Sequence, residues 1–189
     1  MHKGLAFAAI AALLVAAPAV SFAQSAPRSS APPSAGVNHS ASSTDAKDFL
    51  NEAMQGDASE VKMGQLAEKN GGSAEMKEFG KTLVTDHTKA GDQVKAAAKQ
   101  AGLMLKDEPS SEAQKDYDKL AKLKGADFDK EFAHMSVEDH QKDIAKFQKQ
   151  ADAKNGPVSD LAQQQLPVLK KHLQMAQSLQ SKQQASAPK

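Results

Sequence analysis

The chain has 189 residues, 40% of them hydrophobic and 25% charged, and it contains no Cys. Without thiols it builds neither a disulfide nor a thiolate metal site, and it is not a lipoprotein processed at a lipidated Cys. Its 24 basic and 23 acidic residues nearly cancel, so no net field favours nucleic acid or an anionic membrane surface as partner.

The first 23 residues have the three parts of a cleavable secretory signal. Lys3 is the positive start, Leu5 to Val20 is an uncharged stretch of Ala, Leu and Val, and Ser21-Phe22-Ala23 precedes the expected cut before Gln24. The alternative is a membrane anchor. However, the apolar run stops at Pro18, short of the roughly 20 residues a spanning helix requires. Lys3 is the signal's only charge, so the 166 residues left after removing 23 from 189 carry 23 basic and 23 acidic groups. No transmembrane segment is expected after cleavage, and the protein is expected in the periplasm or outside the cell.

Residues 24–43 are rich in Ser, Ala and Pro and read as a disordered leader, as does the tail 183–189. Between them, 44–182 has the Ala, Lys, Gln, Glu, Leu and Met composition of helices and too few aromatic or β-branched residues for a sheet protein. A first helix is expected from Asp45 to Asn70, capped by Ser43 or Thr44 and ended by Gly71-Gly72. Ser73 then caps a second helix reaching Ala101, stopped by Gly102. A loop with Pro109 leads to a short helix from Glu112 to Leu123. After Gly125 a third long helix spans Ala126 to Lys154. Asn155-Gly156-Pro157 stops it and starts the fourth, which runs to Ser181. Two very short connections and one long central one predict an all-α, ferritin-like four-helix bundle whose central connection carries a short extra helix.

Spacing by three and four gives each long helix an apolar stripe broken near its middle by a polar residue. The breaks are Glu60 beside Asp57, then His87, His140 and, with Gln165, His172. Counted along helices of equal length, Glu60, His87, His140 and His172 fall at one level. Three imidazoles and a carboxylate converging there form a candidate site for a divalent transition metal: zinc, iron or copper. Asp86 and Asp139 each precede a stripe His and serve as candidate orienting carboxylates, although their offset of about 100° aims them at a neighbouring helix or solvent. Met63, Met135 and Met175 near that level would suit copper or simply fill core. His134 is a flanking alternative, and Glu52 belongs to the surface. The same layer without metal would be a hydrogen-bonded network that fixes helix register.

Phe79 to Lys89 and Phe132 to Lys142 share Phe, Val, Asp-His and Lys at identical offsets, which suggests a duplicated hairpin. Together with Asp48-Phe49-Leu50-Asn51-Glu52-Ala53, Glu60-Val61, Val84-Thr85-Asp86-His87-Thr88-Lys89-Ala90, Val137-Glu138-Asp139-His140 and Leu166-Pro167 before His172-Leu173, these segments are similar to an uncharacterised ferritin-like family of exported bacterial proteins. Its members carry a domain of unknown function and an outer-membrane-protein label. The resemblance implies a ferritin-like bundle and no particular activity, and nothing here alternates as barrel strands do. Di-iron ferritins use Glu-x-x-His, whereas Val84, Val137 and Leu169 stand three residues before the histidines, which argues against a carboxylate-bridged di-iron centre.

Three functions follow. The first is a metal-binding bundle in metal handling or envelope stress, and the second a metal-free structural or interaction module. The third is an enzyme, which would need Glu60 displaced so that three histidines and a water form a hydrolytic site.

Overall fold

Two tight turns and one long connection set the path of the chain. The computed structural model describes residues 39–154 and 156–185. It contains α1 (His39–Asn70), α2 (Ala74–Gln100), α3 (Ser111–Leu120), α4 (Gly125–Asp152) and α5 (Pro157–Ala185), with no strand among the described residues. The expected signal, the leader up to residue 38 and the last four residues of the tail lie outside the described residues. α1 starts at His39, upstream of the expected Ser43 or Thr44 cap. Residues 39–44 contain neither Gly nor Pro, so nothing in them halts a helix growing backwards from Asp45. No described helix is long and apolar enough to cross a membrane.

The turn between α1 and α2 is held from two sides. The Ser73 hydroxyl accepts from the Met76 N–H at 3.2 Å, capping α2. Buried Asp129 of α4 accepts from the Gly72 and Ser73 N–H groups at 2.8 and 2.9 Å, placing a carboxylate at the positive end of α2. Asn70 donates to the Leu123 carbonyl at 3.0 Å, which fixes the same turn to the α3–α4 connection.

Contacting residues reveal the helix directions. Asp57 meets His87 and Gly64 meets Gly80, so α1 and α2 are antiparallel. Gln150 with Ser159 and His134 with Gln180 make α4 and α5 antiparallel. Asp86 with His172 and Glu75 with Lys182 do the same for α2 and α5. α2 and α4 therefore run the same way, and segment 101–124 with α3 returns the chain along the bundle. α1 and α2 touch backbone to backbone: a Cβ on Gly64 would lie 2.5 Å from the Gly80 carbonyl oxygen, and one on Gly80 equally close to that of Gly64. Any side chain there would push the hairpin apart.

Two apolar clusters hold the helices together. One packs Phe79 against Phe132 edge-on at 6.1 Å and stacks Phe128 on Phe132 at 5.3 Å, with Met76, Leu83 and Leu120 around them. The other sets Phe49 against Phe147 at 5.0 Å, with Leu50, Val94 and Leu161. Each fully buried Phe or Leu contributes about 1.5–3 kcal/mol. The buried histidines lie between the clusters.

Candidate metal centre

Three helices each contribute one histidine at the break in their apolar stripe. His87 of α2 follows buried Leu83, His140 of α4 follows buried Val137, and His172 of α5 follows buried Leu169. The rings are 4%, 1% and 0% exposed. Their centroids lie 5.2 Å apart for His87–His172, 5.3 Å for His140–His172 and 5.9 Å for His87–His140. One ring nitrogen from each lies within 4.8 Å of the other two.

The outward nitrogen of every ring has an acceptor. His87 Nδ1 lies 2.8 Å from Asp57 Oδ1, His140 Nδ1 lies 2.9 Å from the Ser136 carbonyl, and His172 Nε2 lies 2.9 Å from Asp86 Oδ2. A carbonyl oxygen only accepts, so His140 carries its proton on Nδ1, and wherever Asp57 and Asp86 are ionised, as beside a bound cation, they impose the matching tautomers on the other two rings. The inward atoms are then bare: His87 Nε2, His140 Nε2 and His172 Nδ1 are buried with no hydrogen-bond partner. Three lone pairs cannot satisfy one another, and each buried unsatisfied polar atom costs about 1–3 kcal/mol.

Burial also sets the protonation. It pushes His87 and His172 down to about 4 and lowers His140, so the rings are neutral near pH 7. The same loss of solvation raises Asp57 to about 8 and Glu60 to about 7, and it raises Asp143. A divalent cation among the rings would draw these carboxyls back towards their ionised forms.

A family model for a domain of unknown function, DUF4142, matches residues 31–179. The chain belongs to that family. No curated protein and no solved structure matches it.

Of the four ligands expected in this DUF4142 domain, His87, His140 and His172 come together, while Glu60 lies outside their group. α1 instead presents Asp57, one turn earlier, as the partner of His87. The reason is the start of α1: with the helix spanning His39–Asn70, its midpoint falls near residues 54 and 55, closer to Asp57 than to Glu60. Asp57 was visible as an inward polar residue; its level was not. Asp86 reaches across to His172 of α5, whereas Asp139 pairs with Lys142 on the surface at 3.3 Å. Met63 is buried in the Phe79 cluster and Met135 and Met175 pack against that cluster. His134 is exposed beside Glu138 and Gln180, and exposed Glu52 pairs with Lys146.

Neutral imidazoles with converging bare nitrogens, each braced from behind, fit a divalent transition ion. Three protein ligands leave a coordination position for a water or an exchanging group.

Proposed function

We propose that the DUF4142 domain is an exported, ferritin-like bundle that holds a divalent transition metal at His87, His140 and His172. Zinc, iron and copper all suit the donor set, and the role is metal handling or envelope stress outside the cytoplasm. The observation that carries this reading is the trio of inward ring nitrogens, all buried, bare and aimed together. A layer serving only helix register would satisfy its own hydrogen bonds, as buried polar networks do. This one leaves four buried atoms unsatisfied, Asp57 Oδ2 among them. Three neutral ligands and an open position favour an ion that can be passed on. The up-down-down-up helix order supports the ferritin-like assignment, and Lys3 with the apolar run to Val20 supports export.

Elemental analysis of natively purified protein tests the reading, with one metal per chain expected and lost in His140→Ala. Protein free of metal, whose melting temperature is unmoved by added zinc, copper or iron, would sink it in favour of a metal-free envelope module. Sequencing of the secreted or periplasmic form should begin at Gln24.

A further inference from the structure

The histidines are buried, so an ion bound by them must pass between the helices. α1 closes on α2 and α4 packs along α5, which leaves the seam between α1 and α4 among the least filled. On the outside of that seam lies a groove of about 460 Å³, walled by α1, α4 and the start of α3. Six carboxylates line it, Glu52, Glu60, Glu112, Asp116, Asp139 and Asp143, against two lysines. Both lysines are already engaged by acids of the groove, Lys142 by Asp139 at 3.3 Å and Lys146 by Glu52 at 2.9 Å.

A second cavity of about 180 Å³ reaches Asp57, Asp86 and His87 and is also lined by exposed Lys89, Gln164 and Val168 of α2 and α5. The two spaces share Glu52, Gly56, Asp143 and Lys146. At Gly56 a Cβ would meet no atom within 4 Å, so the wall is open where groove and cavity meet. Two buried carboxyls along this line lack donors. Glu60 is 9% exposed, lines the groove and has no hydrogen-bond partner among the described residues; Asp57 Oδ2 lies in the wall of the second cavity, buried and unpartnered.

We propose that the acidic groove between α1 and α4 is the entry path of the divalent cation, with Glu60 and Asp143 as the carboxylates that take it past Gly56. The proposal rests on the reading of His87, His140 and His172 as a metal centre. Oxygen donors hold a hydrated dication loosely and let it shed water in steps, while imidazole nitrogens bind transition ions more firmly. A cleft lined by one sign of charge between low-dielectric walls concentrates counter-ions and raises on-rates by about 10- to 1000-fold. An entry path differs from a ligand in one measurable way. By microscopic reversibility it changes association and dissociation together and leaves the equilibrium constant nearly alone.

The test is stopped-flow mixing of metal-free protein with Co²⁺ alone, followed by the visible absorption of the bound ion, and by chelator chase for dissociation. In Glu60→Gln/Asp143→Asn, association should slow about tenfold or more, with dissociation slowed alongside and the same final spectrum and stoichiometry. Gly56→Leu keeps every charge, puts its side chain into open space, and should slow both steps as well. Unchanged association in the double variant overturns the path. Faster dissociation with unchanged association also overturns it, since Glu60 or Asp143 would then be a ligand. Wild-type protein that takes up no Co²⁺ overturns the metal centre and the path together. Normal wild-type uptake with unaltered variant rates overturns the path alone.

Discussion

On either side of the histidines, the clusters around Phe79 and around the Phe49–Phe147 pair bring carbon against carbon. The layer between them holds three imidazoles, Asp57 and Glu60, and leaves four buried polar atoms without partners. The clusters account for the association of the helices; the layer works against it. Stability is lost in this layer, which is the cost the proposed binding site would carry.

The largest effect should come from breaking a cluster. Phe79→Ala removes a fully buried ring that touches Phe132 and lies 6.5 Å from His172. It should lower the unfolding free energy by about 3–5 kcal/mol in urea titration. A loss below about 1 kcal/mol would mean that this cluster does not carry the fold.

Relieving the layer should have the opposite sign. Burial raises Glu60 from 4.5 to about 7, so between those values the folded state keeps a proton that the unfolded state has released. Its contribution to stability is therefore lost as pH rises through that window. Glu60→Gln should match the wild type near pH 4.5 and exceed it by about 3 kcal/mol above pH 7, both proteins metal-free. A difference that stays flat across this range would show that Glu60 titrates as an ordinary surface carboxyl.

Making the layer resemble its neighbours should help folding and end binding. His140→Leu replaces an imidazole with a bare inward nitrogen by an apolar side chain, so the metal-free protein should gain about 1–3 kcal/mol. Added zinc, which should raise the melting temperature of the wild type, should leave the variant unchanged. A variant that still responds to zinc would remove His140 from the site.

The contrast between clusters and layer also explains what could be read from residues alone. The helices were legible because their signals are local: Asn70-Gly71-Gly72-Ser73, Gly125 and Gly156-Pro157 mark ends within a few residues. The histidines were legible because each interrupts an apolar stripe of its own helix. Asp57 in place of Glu60 was not, since level in a bundle depends on where α1 begins and how it docks. The pairing of Asp86 with His172 joins residues 86 positions apart on two helices, and the groove exists only because α3 lies along the α1–α4 seam. Neither is written in any one helix.

The smallest predicted change probes the layer's supports. His140 leans on the backbone carbonyl of Ser136, which no side-chain substitution removes, whereas His172 depends on the Asp86 carboxylate at 2.9 Å. Asn at position 86 keeps the size and can still accept from Nε2, so the fold should persist. Its amide can also turn its NH₂ group to the ring, which moves the imidazole proton to Nδ1 and takes one lone pair from the centre. Asp86→Asn should therefore weaken zinc about tenfold, about 1.4 kcal/mol, in competition with a chelator. The unfolding midpoint of the metal-free protein should barely move, because the Asp86 side chain is already 30% exposed. Unchanged affinity would show that His172 presents Nδ1 without help, and a collapse of the metal-free fold would make Asp86 a structural support of α5.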